Sequence, residues 1–276
     1  MEPTMDPVQQ FFAMFAQANT AVWPMQIVWY AVALAAIGLA IRPVGKNSSR
    51  LIAAFLAAYY VWLGIVFFGI FYNTITPALV DGAMFVFGGV LFLIAGVVRQ
   101  DLKFQARWDL LGVVGGAFML FALAYPLIDA LTGHDFPAAP VFGLAPCPSA
   151  IFTAGLLLWT RPRMPIYVLF VPLVWLLAQN PAESLAMGVV ADVARVPVGV
   201  LATALLIWRD YGAARERLIA GAVLLIAIAL GLGHDDTLME LAGVVLLAMF
   251  VSWFLRQAGH PVAAMRTRGH AQAPVK

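Results

Sequence analysis

The sequence predicts an all-α fold, a polytopic integral membrane helical bundle of about nine transmembrane helices with an N-terminal interfacial helix. Of its 276 residues, 63% are hydrophobic and 11% are charged, whereas a soluble domain has roughly 45–50% apolar and 25% charged residues. The hydrophobic residues form long runs, and most charged residues fall between these runs. This pattern favours a chain that crosses the bilayer repeatedly.

The elements follow from the periodicity of the apolar residues. Residues 7–19 place phenylalanines at helical spacing opposite glutamines, which predicts a helix that lies in the interface and is too short to span. Trp23 and Pro24 then open the first span, with tryptophan at the level of an aromatic belt. The predicted spans are residues 25–41, 50–72, 77–98, 109–131, 141–160, 164–178, 183–208, 214–232 and 237–256.

The sequence leaves the boundary between the sixth and seventh spans open, because residues 179–184 are polar and contain a proline. Either the sixth helix ends there, or it continues through a kink and the seventh starts near Asp192. The kinked version places Gln179, Asn180 and Glu183 near mid-membrane, where a carboxyl group is usually functional. The other version places them in an outer loop.

The distribution of basic residues predicts an orientation. Fifteen of the 16 lysines and arginines fall in the odd-numbered connections and the C-terminal tail, and cytoplasmic connections are enriched in these residues. Only Arg195 falls elsewhere, three residues after Asp192, where a helical neighbour can pair with it. The prediction is an N-terminus outside and a C-terminus inside, with no cleaved signal peptide because the first residues carry acids.

Composition and motifs argue against several functions. The net charge of +2, spread over short basic groups, argues against a nucleic-acid partner. A single cysteine leaves no intramolecular disulfide and no cysteine cluster for a metal. The sequence contains no motif for nucleotide binding, zinc proteolysis or serine hydrolysis, and no predicted span contains a histidine. The sequence therefore identifies no cofactor, and it favours a protein that is not an enzyme.

Three patterns carry a resemblance to a known family. They are Phe142-Gly-Leu-x-Pro-Cys-Pro-x-x-Ile-Phe-Thr-x-Gly-Leu-Leu-Leu158, Asn19-x-Ala-Val-Trp-Pro-x-Gln-Ile27 with Tyr30, and Arg50-Leu-Ile52. Over roughly residues 8–208 the chain resembles a group of bacterial multi-pass membrane proteins known as a domain of unknown function. The resemblance implies a helical fold in the bacterial inner membrane and no defined activity. It divides the chain into a membrane domain (1–208), an additional transmembrane helix pair (209–257) and a disordered cytoplasmic tail (258–276).

Cys147 is the first candidate site residue. It lies between Pro146 and Pro148, and because proline is best tolerated at the first position of a helix, we expect a helix from Pro148 with Cys147 as its cap. The thiol would then lie within the membrane slab at a helix break, where backbone must be buried in protein or line a wet cavity. It is a candidate binding residue or soft-metal ligand. The alternative is a small buried side chain in a kinked helix.

Acidic and histidine residues supply the remaining candidates. His134 and Asp135, in the loop before Cys147 and one turn after Asp129, are candidate metal ligands together with the thiol; the alternative is a set of solvated, cap-forming loop residues. Asp81 and Glu183 are the carboxyls expected within spans, where they could bind a proton or a solute. Asp81 could also be an interfacial residue at the start of the third span.

The leading hypothesis is an integral inner-membrane protein that binds or transports a small solute, with a metal cation as one candidate. The binding residues would be Cys147 at the helix break, the polar segment Gln179, Asn180 and Glu183, and Asp81. One alternative is a non-catalytic subunit or assembly partner of a larger membrane complex, which docks through residues 214–256. The other is a membrane enzyme that depends on the Cys147 thiol. The lipid bilayer is the one partner that every alternative shares.

Overall fold

The computed structural model describes residues 6–76, 78–178 and 186–210, and the helices found there confirm the all-α prediction. Within those ranges, the only β-type pairing is one isolated bridge between Phe104 and Thr160. The helices are α1 (Pro7–Ala21), α2 (Met25–Ile41), α3 (Ser48–Trp62), α4 (Leu79–Phe92), α5 (Leu110–Ala130), α6 (Pro146–Leu158), α7 (Phe170–Ala178) and α8 (Arg195–Asp210).

Several helices are extended by turns of another type. A π-helix (Leu63–Phe71) and a short 3₁₀ turn (Tyr72–Thr74) continue α3, and a second π-helix (Leu93–Val98) continues α4. Short 3₁₀ helices at Ile166–Leu169 and Val190–Ala194 lead into α7 and α8. These extensions make α3, α4 and α8 longer than their α-helical parts alone.

Four helical segments are long and apolar enough to cross a membrane: Ser48–Thr74, Leu79–Val98, Leu110–Ala130 and Val190–Asp210. A fifth crossing is available if α1 and α2, which meet at a bend of 81°, are counted as one broken span. Two further apolar helices, Pro146–Leu158 and Tyr167–Leu177, are shorter. The described part of the chain therefore contains four to five helices suited to span a bilayer.

The prediction of nine spans is not supported. The fifth apolar run yields only the 13 residues of α6, because the chain turns over residues 141–145, where Gly143 adopts a φ of +100°. The sixth run yields a helix that is also too short for a bilayer core of roughly 30 Å. The predicted spans at 214–232 and 237–256, like the polar segment 179–184 and the tail 258–276, lie outside the described residues.

Helix α6 forms the centre of the fold. Every residue of α6 except Cys147 is buried, and α6 packs against α5, α7 and α8. A helix that is apolar on all sides needs such an enclosed position. Its length is roughly 20 Å at 1.5 Å per residue. A helix this short can lie at membrane depth because the surrounding protein, not lipid, covers it.

Contacts at the end of α6 bring together the connections that carry basic residues. The connection 99–109 runs along this end, where the Ala106 N–H donates to the Ala40 carbonyl and the Arg161 N–H donates to the Lys103 carbonyl, both at 2.8 Å. These hydrogen bonds place the connections beside one another. The basic residues in these connections and at the end of α8 are Arg42, Lys46, Arg50, Arg99, Lys103, Arg107, Arg161, Arg163 and Arg209.

At the opposite end, hydrogen bonds hold the segment that leads into α6. The Asn19 side chain donates to the carbonyls of Pro137 (2.7 Å) and Ala139 (2.9 Å). The Gly143 N–H donates to the hydroxyl of Tyr59 at 2.8 Å. A side chain at Gly143 would place its Cβ 3.0 Å from the Cβ of Trp29, so the close approach and the positive φ both favour glycine there.

Candidate functional site

The N-terminus of α6 places the only cysteine in the first turn of a buried helix. The helix begins at Pro146, with Ala145 as its N-cap residue, so the predicted start at Pro148 with Cys147 as the cap is wrong by two residues. Pro146 is the better start because its missing N–H would have had no partner in the first turn. Cys147 is partly exposed, unlike its buried neighbours in the helix.

A buried ion pair lies beside this turn. Arg195, at the start of α8, is 1% exposed and Asp192 is 8% exposed. The Arg195 Nε lies 3.7 Å from the Asp192 Oδ2 and donates to the Asp192 backbone carbonyl at 3.2 Å. The hydroxyl of Tyr125, from α5, donates to the other carboxylate oxygen of Asp192. The i,i+3 pairing expected from the sequence is therefore confirmed.

The thiol belongs to the same cluster. Cys147 lies within interaction distance of the Arg195 guanidinium and the Trp175 indole. The indole Nε1 is buried and has no hydrogen bond of normal geometry. Three helices, α6, α7 and α8, thus bring a thiol, an indole N–H and a guanidinium to one place.

Asp129 is the second buried carboxyl of this region. It is 1% exposed, near the end of α5 and one turn beyond Tyr125. Neither of its carboxyl oxygens has a hydrogen bond of normal geometry, and the backbone N–H of Ala191 lies beside the carboxyl. Asp129 is close enough to Cys147 that an ionised carboxyl would act on the thiol.

A cavity of about 100 Å³ opens beside Cys147, Tyr125 and Asp192. About 10–15 Å³ of such volume accommodates one water molecule, so the cavity has room for several waters or one small solute. Its polar wall is formed by Cys147, Tyr125 and Asp192, and aromatic rings form much of the remainder. The aromatic side chains that line it are Phe11, Phe15, Phe67, Tyr72 and Trp175.

A second cavity of about 310 Å³ lies between α2 and α5. Its lining includes Trp23, Ile27, Pro126 and Phe136, and none of its lining residues is charged. The smaller cavity is therefore the better candidate site, because a specific site combines apolar walls with a few placed polar groups.

The predicted site residues are only partly brought together. Cys147 lines the cavity, whereas Asp81 lies in the first turn of α4 and is not among the residues that line it. The predicted binding residues Gln179, Asn180 and Glu183 lie outside the described residues. Their contribution stays a prediction.

The predicted metal ligands do not converge in the described structure. The ring of His134 stacks on Phe12 with centroids 3.8 Å apart, and Asp135 is exposed. No group of three or more His, Cys, Asp or Glu side chains within residues 6–76, 78–178 and 186–210 is placed to hold a metal ion. His134, Asp135 and Cys147 are thus not assembled as a ligand set.

Of the residues at this site, Asp129 was predicted only as a neighbour of the candidate ligands His134 and Asp135, and Tyr125, Asp192 and Arg195 were not predicted as site residues. One signal was present: Arg195 is the only basic residue outside the basic connections and tail. An ionisable residue within a span is a functional candidate by default. The contribution of Tyr125 could not be predicted from the sequence, because its hydrogen bond to Asp192 joins residues 67 positions apart.

Comparisons with known proteins define a family without a described activity. A search of curated proteins gave no match, and a search of solved structures gave none either. Residues 8–217 match the model of a family of unknown function, DUF6064. This match covers more than half of the chain, and the chain therefore belongs to the family of unknown function DUF6064.

Proposed function

We propose that this protein is an integral membrane protein that binds a small solute in the cavity at Cys147 and moves it across the bilayer. The observation that carries the proposal is the buried Arg195–Asp192 pair, because Asp192 lines a cavity within the apolar bundle. Burying an ion pair is energetically expensive unless hydrogen bonds compensate it. Such groups within spans commonly mark a solute or ion pathway.

The break before α6 supports transport as well as binding. Transporters often build their sites where a helix is interrupted near mid-membrane, with irregular backbone lining the cavity. Here the chain turns at residues 141–145, and Cys147 follows in the first turn of α6. The predicted polar segment at Gln179, Asn180 and Glu183 would complete such a site.

The cavity wall favours an organic solute over a metal ion. Aromatic rings cover apolar surface, while the thiol and the Asp192 carboxylate offer a few polar contacts. A divalent metal would need more oxygen, nitrogen or sulfur ligands than this wall offers. We therefore propose a small solute with both polar and apolar parts.

We also propose that the chain lies in the inner membrane with its N-terminus outside. The support is the grouping of the basic connections at one end of the bundle, since cytoplasmic connections are enriched in lysine and arginine. In this orientation α6 descends from the outside, and the Cys147 cavity lies nearer the outer end.

Thiol labelling tests the proposed site directly, because Cys147 is the only cysteine. Two methanethiosulfonate reagents, one with a trimethylammonium group and one with a sulfonate group, are added to membrane vesicles, and the mass of the protein is measured over time. We expect both reagents to modify Cys147. Small amines, carboxylates and sugars are then added as candidate solutes. We expect a saturating amount of a solute that binds to slow the modification at least tenfold.

Two variants in a Cys147→Ala background calibrate the labelling. Leu131→Cys introduces a thiol at a residue that is 87% exposed, and Ala154→Cys introduces one at a fully buried position in the same helix as Cys147. If wild-type Cys147 is as unreactive as the thiol of Ala154→Cys, the cavity is closed to solutes and the proposed function is wrong. If it reacts but no solute of the panel slows the reaction, binding at this cavity is also rejected for those classes.

A further inference from the structure

We propose that Asp129 is a proton-binding site of this protein, separate from the solute cavity, and that its carboxyl is held as the neutral acid. This carboxyl is the most completely isolated acidic group in the described part of the chain. It is 1% exposed, it forms no ion pair, and no hydrogen bond of normal geometry reaches either oxygen. A carboxylate in such surroundings would lose its hydration without compensation, whereas the neutral acid would lose far less.

The groups that face Asp129 do not supply a counter-charge. Arg195 is committed to Asp192 by the ion pair and by the backbone contact. Tyr125, on the same face of α5, donates its hydroxyl to Asp192, and Cys147 adds no positive charge. The ring of His134 stacks on Phe12, and no ion pair joins it to Asp129 in the described structure. Within the described residues, no ion pair is formed to Asp129, and Arg195 is already paired with Asp192.

A bound metal ion does not fit this position. A cation such as Na⁺ or Ca²⁺ needs several oxygen ligands around it. The described residues contain no group of three His, Cys, Asp or Glu side chains that could hold one, and the Ala191 backbone N–H beside the Asp129 carboxyl is a donor, which cannot ligate a cation. A proton needs only the carboxyl itself.

Asp129 lies one helical turn from the cavity wall. Residues i and i+4 lie on the same face of a helix, so Asp129 lies directly above Tyr125, whose hydroxyl reaches the cavity wall at Asp192. Asp129 itself does not line the cavity. Its proton is therefore held in the protein interior, one helical turn from the cavity wall.

Infrared spectroscopy of the full-length protein in detergent tests this inference without requiring a known solute. A protonated carboxylic acid has a C=O stretch separate from the carboxylate bands. At neutral pH we expect this band in the wild-type protein, a shift of the band on labelling with carbonyl-¹³C aspartate, and its loss in Asp129→Asn. The matched control is Asp135→Asn, at an exposed residue of the following loop, which should retain the band.

Each outcome decides the question. The inference is overturned if the wild-type band is absent, if labelled aspartate does not shift it, or if it persists in Asp129→Asn. Should Asp129→Asn fail to fold, Asp129→Glu replaces it, and there the band should lose its response to labelled aspartate. Because the experiment does not use the Cys147 thiol or any solute, its result is independent of the labelling test for the proposed function.

Discussion

The Arg195 guanidinium is enclosed by protein, and a charge in this position is stable only while its counter-charge remains in place. Removing one member of a buried pair typically costs about 3–5 kcal/mol, because the remaining charge is left uncompensated. At the residue scale, the Asp192–Arg195 pair is therefore the feature most sensitive to substitution.

We expect Arg195→Met to lower the free energy of unfolding by about 3–5 kcal/mol, since Asp192 is left charged in an apolar site. Heating followed by size-exclusion chromatography measures the loss as a lower midpoint of the folded fraction. The double variant Asp192→Asn/Arg195→Met should recover part of that loss, because the stranded carboxylate is gone. A double variant less stable than Arg195→Met would contradict this account of the pair.

The candidate site was only partly predictable at this scale. Cys147 was identified because it lies between two prolines, a local signal that needs no knowledge of the fold. Asp129 lies beside the exposed end of α5 in the sequence, and in the fold Ala191 lies beside its carboxyl. A contact between residues 62 positions apart leaves no periodic signal in the chain.

At the element scale, two adjacent tyrosines on α3 have different roles although both are fully buried. The hydroxyl of Tyr59 accepts the Gly143 N–H and shares a 2.6 Å hydrogen bond with the Ser149 hydroxyl. The hydroxyl of Tyr60 has no hydrogen bond of normal geometry. Tyr59 thus fixes the turn before α6 to α3, whereas Tyr60 contributes mainly through its ring.

We expect Tyr59→Phe to destabilise the protein by about 1–3 kcal/mol, because the Gly143 N–H is left buried without an acceptor. Tyr60→Phe is the matched control and should change the thermal midpoint little. It removes the same atom from an equally buried neighbour. Equal midpoints for the two variants would show that the Tyr59 hydroxyl does not anchor the turn.

Glycines allow α5 and α6 to pack at close range. A Cβ at Gly155 would lie 2.6 Å from the Gly115 carbonyl oxygen, whereas a Cβ at Gly116 would meet nothing closer than 3.6 Å. Gly115 thus takes part in the close packing of the two helices, and Gly116 is not needed for it. Small residues serve this purpose at many helix interfaces in membranes.

We expect Gly155→Ala to destabilise the α5–α6 pair, since overpacking of this kind costs about 1–3 kcal/mol. Gly116→Ala should leave the thermal midpoint unchanged or raise it, because alanine is the better helix former by about 1 kcal/mol. The midpoints of the two purified variants in the same detergent provide the comparison. If Gly155→Ala is as stable as Gly116→Ala, the helices can separate without loss and the interface is looser than these distances indicate.

The predicted helix boundaries are accurate where residues next to the boundary determine it. The start of α2 after Trp23-Pro24 and the range of α5 agree with the predicted spans to within one residue. The fifth and sixth runs were overestimated, because an apolar segment buried in protein has the same composition as one that faces lipid. A hydrophobic segment is predicted to avoid water, but its composition does not show whether protein or lipid surrounds it.

At the scale of the whole molecule, the length of α5 sets the distance between the basic connection before it and the loop after it. Helix α5 starts beside the basic connection 99–109 and ends near Leu131, and its 21 residues correspond to roughly 31 Å. That length matches a hydrocarbon core of roughly 30 Å. The basic end and the loop after α5 are therefore separated by about the thickness of a bilayer, which allows the two ends to face different compartments.

Cysteine accessibility in intact cells tests this arrangement with two positions of almost equal exposure. In a Cys147→Ala background, Leu131→Cys reports on the loop after α5 and Val44→Cys reports on the basic connection between α2 and α3; the native residues are 87% and 85% exposed. We expect a membrane-impermeant maleimide to label the thiol at position 131 and not the one at position 44, because basic connections stay in the cytoplasm. After the cells are lysed, both thiols should react, which controls for local reactivity. Labelling of both positions in intact cells, or of position 44 alone, would contradict the proposed orientation.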